Sequence, residues 1–174
     1  MIRFAPATPM LDFHPLTAAN FSCHEEDILR SEAIFPENIR ESGEDYLAAL
    51  KRRRAMGLIA RHGQAYVGNV VGFSPCRKQR EELRLHEHLA PNDTGLIYLF
   101  NIVTMPEFQG RGCGRHLLEE FCRQASRRGF RKVGGHFRGN GSLKNFTALG
   151  GRPLAVCPDW FATGESYTYC ELGL

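Results

Sequence analysis

The chain has 174 residues, of which 43% are hydrophobic and 24% are charged, and its net charge is +3. This length and balance predict one globular domain over residues 1–174 and exclude the disordered, collagen-like and membrane-spanning classes. Proline, aspartate and histidine interrupt the apolar residues near the N-terminus. Such a segment makes a poor signal peptide, so we expect a cytoplasmic protein.

The six cysteines are scattered along the chain, with no C-x-x-C pair and no histidine at zinc-finger spacing. This pattern argues against a metal site and favours buried free thiols. The cysteines are Cys23, Cys76, Cys113, Cys122, Cys157 and Cys170.

The positive charge is concentrated in residues 109–138, where eight Lys and Arg side chains accompany two acidic ones. A localised basic segment suits a compact anion such as a phosphorylated cofactor better than a long nucleic acid. Taken one by one, most of these arginines are expected on a solvated helix face.

The first half of the chain predicts two helices, a hairpin and a charged insert over residues 74–94. Ser42 or Gly43 precedes two acidic residues and is therefore expected to begin the second helix. Hydrophobic spacing predicts helices over 24–30 and 42–54, strands over 57–60 and 65–73, and a short helix over 79–89.

The second half predicts a β-α-β unit. Residues 96–104 are nearly all β-branched or aromatic, which is typical of a strand buried on both faces, and Pro106 ends it. Helical spacing runs from Gly114 to a C-terminal cap at Gly129, and a second strand covers 130–137. We expect these two strands to pair in parallel through a right-handed crossover. A helix over 142–149 and a terminal hairpin of 153–157 with 166–172 follow.

Residues 109–115, Gln-Gly-Arg-Gly-Cys-Gly-Arg, connect the buried strand to the helix. Three glycines let the backbone approach a ligand closely, and free N–H groups at a helix N-terminus attract a phosphate. The turn lacks the Lys-Ser/Thr of a P-loop and the glycine spacing of a dinucleotide-binding fingerprint. It therefore predicts an anion site of another kind.

The stretch YLFNIVTMPEFQGRGCGRHLLEEF, residues 98–121, resembles the acetyl-CoA-binding core of the GCN5-related N-acetyltransferase (GNAT) family. The family signature, Q/R-x-x-G-x-G/A after a buried strand, is matched by Gln109, Gly112 and Gly114. The core is also similar to that of ribosomal-protein N-terminal acetyltransferases. The resemblance implies an α/β fold with a mixed, twisted sheet of six or seven strands and about four helices.

The resemblance also implies which residues contact the substrates. Backbone N–H groups of 110–115 would hold the pyrophosphate of coenzyme A, main-chain groups of 102–104 would bind its pantetheine arm, and one strand N–H would face the thioester oxygen. The implied cofactor-binding residues are Ile102, Val103, Thr104, Gln109, Gly110, Arg111, Gly112, Cys113, Gly114, Arg115, Asn140 and Asn145. Tyr98 and Asn101 would line the acceptor pocket or belong to the core.

Proton transfer needs two further groups. A lysine-like amine is protonated at neutral pH, so a base is required, and His136 is the candidate, directly or through water. A hydrogen-bonded structural histidine is the alternative. Phe146 stands where many relatives carry a tyrosine acid, so Ser142 or a water would assist the departing thiolate, which needs little help because the pKa of a thiol is about 8.5.

The sequence thus predicts an acetyl-CoA-dependent N-acetyltransferase that acts on a primary amine by direct attack in a ternary complex, without a metal. The acceptor is a small-molecule amine or a peptide amine, no nucleic-acid or membrane partner is expected, and a homodimer is left open. The alternatives are a coenzyme A-binding module that has lost catalysis and, with weaker support, a nucleic-acid-binding protein.

Overall fold

The computed structural model describes residues 9–90 and 93–174. Seven strands form one mixed sheet in the order β1-β2-β3-β4-β5-β7-β6. The strands are β1 Asp12–Leu16, β2 Met56–His62, β3 Ala65–Phe73, β4 Leu96–Thr104, β5 Lys132–Arg138, β6 Arg152–Cys157 and β7 Tyr167–Gly173. The helices are α1 Glu25–Glu32, α2 Gly43–Leu50, α3 Arg77–Glu82, α4 Cys113–Arg127 and α5 Gly141–Ala148. The sheet agrees with the expected mixed fold, with five α-helices in the described residues where about four were expected.

The β-α-β unit forms as predicted. β4 keeps its predicted bounds, and β4 and β5 run parallel with α4 between them in the chain. Only three residue pairs are in register, the last being Tyr98 with Gly134. Beyond Tyr98 the two strands diverge, and this divergence opens the sheet where the site lies.

Helix α4 covers one face of the sheet because its apolar side is continuous. Leu117, Leu118, Phe121 and Ala125 are each no more than 1% exposed. The helix ends before Gly129, whose φ of +78° provides the predicted left-handed cap. The arginines on its outer face form i,i+3 and i,i+4 ion pairs with glutamates, as a solvated face would.

Helix α2 begins as predicted and ends early. The Ser42 hydroxyl accepts a hydrogen bond from the Asp45 N–H, and Asp45 accepts one from the Ser42 N–H, which completes a capping box. The helix was predicted to reach Arg54 but ends at Leu50. Arg54 adopts φ +50°, donates to the Arg128 carbonyl at 2.6 Å and stacks over Phe130, so a tertiary contact overrides the helical pattern.

The helix predicted over 79–89 is wrong in its extent. The structure divides this insert into α3 and a 3₁₀ turn, Leu85–Glu87, with Arg84 at φ +55° between them. A left-handed residue cannot continue an α-helix, so the insert bends. Leu85, which is fully buried, then packs into the core.

Strand β1 was not predicted, because the first part of the chain was predicted to be helical. Among the described residues it pairs only with β2, so it lies at the edge of the sheet, where a proline such as Pro15 is tolerated. The terminal hairpin of β6 and β7 forms as predicted, with β7 also pairing with β5. Within the described ranges no helix is both long and apolar enough to cross a bilayer.

Candidate active site

Two cavities open where β4 and β5 diverge. The first, the glycine-turn cavity, has a volume of about 500 Å³ and lies between β4, the start of α4 and the start of α5. The second, the aromatic cavity, has a volume of about 780 Å³ and lies between the segment before α2, β4, β5 and the β6–β7 connection. Phe35, Ile102, Asn140 and Ser142 line both cavities, so the two meet at these residues.

The turn before α4 exposes backbone N–H groups to the glycine-turn cavity. Gly110 and Gly112 have φ of +69° and +81°, conformations that glycine adopts without strain. The first N–H groups of any α-helix have no partner inside the helix and carry its positive dipole end, and no side chain of residues 9–90 or 93–174 caps α4. The arrangement is suited to a phosphate group.

Gly114 fixes how closely the helix approaches the strand. A Cβ at this position would lie 2.9 Å from Thr104 Oγ1 and 3.2 Å from Asn145 Nδ2. The start of α4, the end of β4 and α5 therefore converge at a point that only glycine fits without displacement.

The diverging part of β4 offers main-chain groups to the same cavity. The Met105 N–H bonds to the Val67 carbonyl of the neighbouring strand, and main-chain direction alternates along a strand. The N–H groups of Ile102 and Thr104 therefore point away from β3, toward the gap. In agreement with this, the Thr104 carbonyl accepts from Gln109 Nε2 at 2.8 Å, which ties the turn to the strand end.

The predicted cofactor-binding residues fall into two groups. Nine of them line the glycine-turn cavity, and the side chains of the other three do not. The nine are Ile102, Val103, Thr104, Gln109, Gly110, Gly112, Gly114, Asn140 and Asn145. Of the rest, Arg115 pairs with Glu119, Cys113 is 1% exposed, and Arg111 stacks near Phe108.

Cys113 is unsuited to act as a nucleophile. Its side chain points into the core, and burial raises the pKa of its thiol. A thiol that stays protonated at neutral pH does not attack a thioester readily, so a covalent route through this residue is disfavoured.

Helix α5 closes the junction between the cavities. Asn140 caps it, with Oδ1 accepting from the Ser142 N–H at 3.0 Å. Phe146 is fully buried, and its ring packs at a tilt against that of Phe137 with the centroids 4.6 Å apart, so it belongs to the core and does not line either cavity.

His136 and Tyr98 lie together in the wall of the aromatic cavity. Tyr98 Oη and His136 Nδ1 are 3.0 Å apart, and the imidazole stacks on Trp160 at 3.8 Å. Burial, with smaller contributions from His88 and Arg84, lowers the pKa of His136 to about 3. The ring is therefore neutral at physiological pH and a weak base.

Asn101 lines the aromatic cavity, and its side-chain amide is hydrogen-bonded to a buried carboxyl group. Its Nδ2 donates to Glu32 Oε1 at 3.0 Å, and the same oxygen accepts from the Tyr46 hydroxyl at 2.7 Å. Glu32 is 2% exposed, and burial raises the pKa of its carboxyl. This buried network fixes the orientation of the Asn101 amide.

Glu41 is a wall residue that sequence reasoning missed. It is half-buried in the aromatic cavity, and burial together with the charges of Asp45 and Glu32 raises the pKa of its carboxyl to about 7, against a smaller effect of Arg52. It lies in an irregular segment with no motif around it, so no local signal in the sequence could have identified it.

The described residues, 9–90 and 93–174, contain no group of three or more His, Cys, Asp or Glu side chains that could hold a metal ion. The polar groups of the two cavities include backbone amides, side-chain amides, hydroxyls, an imidazole, arginines and the carboxyl groups of Glu41 and Glu82. These groups can bind an anion, orient a carbonyl and accept a proton.

Comparisons with known proteins agree on the family and fold. A sequence model of the Acetyltransferase (GNAT) family matches residues 24–143. No curated protein sequence matches significantly.

Solved structures with the same fold cover almost the whole chain. Ribosomal-protein-S18-alanine N-acetyltransferase from Escherichia coli is 14% identical with a TM-score of 0.69, covering 94% of this chain and 94% of its own. Arabidopsis thaliana NAA60 in complex with acetyl-CoA is 18% identical with a TM-score of 0.68, and the match covers 95% of this chain and 98% of the NAA60 chain. A GNAT family acetyltransferase from Elizabethkingia anophelis with acetyl-CoA bound is 17% identical with a TM-score of 0.64, and the match covers 94% of this chain and 98% of the other.

Proposed function

Since the chain belongs to the GNAT family of acetyltransferases, we propose that it transfers the acetyl group of acetyl-CoA to a primary amine by direct attack. One observation carries the proposal: the glycine-turn cavity and the aromatic cavity meet at Ile102 and Ser142. Two substrates entering from the two cavities would bring their reactive ends together at that junction, which is what direct transfer requires.

The glycine turn fits the donor. Apart from Gly110 itself and its two chain neighbours, no described residue has an atom within 4 Å of the position a Cβ would occupy, so the backbone there is open to a ligand. The N–H groups from Gly110 to Arg115 would bind the pyrophosphate, with the helix dipole adding to the attraction. Side chains of Asn140 and Asn145 line the same cavity and would contact the donor from α5.

The main chain of β4 would position the thioester. Acetyl-CoA supplies an activated acyl carbonyl, and the N–H groups of Ile102 and Thr104 that face the gap would orient the pantetheine arm and polarise that carbonyl oxygen. These donors belong to a strand fixed by β3 on its other side, so they need no rearrangement during the reaction.

His136 would accept the proton that the amine loses. For this role Nδ1 must carry the ring proton and donate it to Tyr98 Oη, which leaves Nε2 as the acceptor. The low pKa of His136 makes it a weak base, and Glu41, whose pKa of about 7 matches neutral pH, is the second candidate in the same cavity.

These groups account for every bond and proton in the transfer. The amine nitrogen bonds to the acyl carbon, the carbon–sulfur bond breaks, the sulfur leaves as thiolate, and the amine proton passes to the base. Because Phe146 carries no proton, Ser142 at the cavity junction, or a water, would protonate the thiolate.

The test is release of free thiol from acetyl-CoA that depends on an added amine, measured over a panel of small amines and short peptides. His136→Ala is expected to lower kcat, while His62→Ala, an exposed histidine on β2, leaves it unchanged. Saturable binding of coenzyme A with no amine-dependent thiol release over the panel would contradict the proposal and favour a binding module. An unchanged pH–rate profile in His136→Ala would remove His136 as the base.

A further inference from the structure

We propose that the acceptor is a primary amine that carries a bulky apolar group, about the size of a phenyl ring, close to its nitrogen. Residues 159–164 between β6 and β7, the aromatic turn, would select this group through Trp160 and Phe161. The inference rests on the proposed transfer to an amine and specifies the class of amine. A free arylalkylamine and a peptide with a large apolar first residue share this chemistry.

The aromatic turn has an unfavourable backbone conformation. Asp159, Phe161 and Ala162 have φ of +49°, +49° and +57°, in the left-handed region; aspartate is enriched there, whereas a bulky side chain such as that of Phe161 is an outlier. Gly164, at φ +76°, completes the turn. Such strain concentrates at sites that hold a ligand, because the conformation is retained only where surrounding contacts enforce it.

Several hydrogen bonds enforce this conformation. The Trp160 N–H donates to the Glu165 carbonyl at 2.9 Å, and the Gly164 N–H donates to Asp159 Oδ1 at 2.7 Å. Asn38 Nδ2, from the segment before α2, donates to the Thr163 carbonyl at 3.1 Å. The turn is thus held locally and is also tied to another wall of the aromatic cavity.

The enforced conformation leaves a large apolar side chain in solvent at the cavity. Phe161 lines the aromatic cavity and is 66% exposed, and its ring lies edge-on to Trp160 at 4.7 Å. Trp160 in turn stacks on His136. Because an exposed phenyl ring is unfavourable in water, an apolar group that covers it would gain binding energy.

The rest of the cavity wall agrees with an apolar amine. Phe35, Phe73 and Phe100 line it. Three wall arginines are already engaged: Arg138 donates two hydrogen bonds to Glu165, Arg40 donates to the carbonyls of Phe35 and Ala33, and Arg52 lies over the Phe73 ring at 4.3 Å. Two carboxylates, Glu41 and Glu82, line the cavity; Glu82 pairs with Lys78 at 3.7 Å, and Glu41 would attract the ammonium form of the amine.

Trp160 provides a direct readout, because it is the single tryptophan of the chain. We would titrate the full-length protein with phenethylamine and with ethylamine, and follow Trp160 fluorescence. Coenzyme A would be present in place of acetyl-CoA, so that no transfer occurs. Phenethylamine is expected to bind at least about tenfold more tightly than ethylamine, because the free energy gained by burying a phenyl ring corresponds to a factor of about ten or more in affinity. A short peptide with an N-terminal phenylalanine and its glycine counterpart form the second arm, which distinguishes a peptide acceptor from a free amine.

Phe161→Ala is expected to reduce the preference for the ring by about fivefold or more, and Phe161→Tyr to keep it. Val156→Ala is the matched control, because Val156 is 67% exposed on β6 and is not a residue of the cavity wall. The inference would be overturned if phenethylamine bound no more tightly than ethylamine and the phenylalanine peptide bound no more tightly than the glycine peptide. A Phe161→Ala variant that keeps the preference, or one that weakens both amines equally, would also overturn it.

The two proposals fail in different ways. Amine-dependent thiol release with no preference for a ring would support the transferase and overturn the inference. Saturable, Phe161-dependent binding of phenethylamine with no turnover would support the inference about the cavity and contradict the transferase.

Discussion

The replacement Gly114→Ala tests the donor site most sharply, because it adds one methyl group where α4 meets β4. The added Cβ would lie 2.9 Å from Thr104 Oγ1 and 3.2 Å from Asn145 Nδ2, where ordinary contacts begin at 3.4 Å. The start of α4 must therefore move by about half an ångström relative to β4 and α5.

Two effects on stability oppose each other in this variant. Overpacking costs about 1–3 kcal/mol, and replacing a helical glycine by alanine returns up to about 1 kcal/mol. The free energy of unfolding should therefore fall by between about 0 and 3 kcal/mol. Donor binding has no such compensation, because the displaced N–H groups lose alignment with the pyrophosphate, and we expect about a tenfold loss of affinity, which corresponds to about 1.4 kcal/mol.

The assay is calorimetric titration with coenzyme A, accompanied by urea unfolding. Adding Thr104→Ala to the variant removes the closer contact, so the double variant should recover at least half of the lost binding free energy. Gly110→Ala is the control, because it introduces strain at φ +69° with no atom within 4 Å, and Thr104→Ala should not rescue it. Unchanged affinity in Gly114→Ala, or no recovery in the double variant, would refute the reasoning.

Three further predictions concern a titrating carboxyl, a helix cap and a buried ring. The pKa of Glu41 is about 7 in the native state against an ordinary 4.5, so the native state binds more protons between these values and stability falls as pH rises through this window. Glu41→Gln should remove that fall. The prediction would be disproved if urea unfolding showed the same change in stability between pH 5 and pH 8 for both proteins. Ser42→Ala removes the cap of α2 and should cost about 1 kcal/mol of unfolding free energy, measured against Ser166→Ala; a loss below about 0.3 kcal/mol would show that the capping box contributes little. Phe146→Tyr places a hydroxyl in a fully buried site and should destabilise by about 1–3 kcal/mol without raising kcat, whereas a faster enzyme would mean that the new hydroxyl reaches the leaving thiolate.

The elements with strong local signals were predicted well. β4 is a run of apolar residues ended by a proline, and α4 has a continuous apolar stripe closed by a glycine cap. Each signal lies within the element or next to it, so it acts before any tertiary contact forms. The glycine turn belongs to this class, because φ values of +69° and +81° are available to glycine in any context.

Other features depend on contacts with distant parts of the chain. β1 is a strand because β2 supplies its hydrogen bonds, and α2 ends early because Arg54 reaches Arg128 and Phe130. The pKa of Glu41 is raised because folding buries it beside other acids. The sequence around β1 and around Arg54 contains none of these partners, and the nearby Asp45 does not by itself show that folding buries Glu41.

The sequence by itself therefore determined the family, the order of the central strands and helix, and the turn suited to a phosphate, since these follow from local backbone preferences and hydrophobic periodicity. Only the tertiary structure decided which side chains form the aromatic cavity. Trp160, His136 and Glu41 come from separate segments of the chain. They line one cavity where β4 and β5 diverge, and burial there shifts the pKa values of His136 and Glu41.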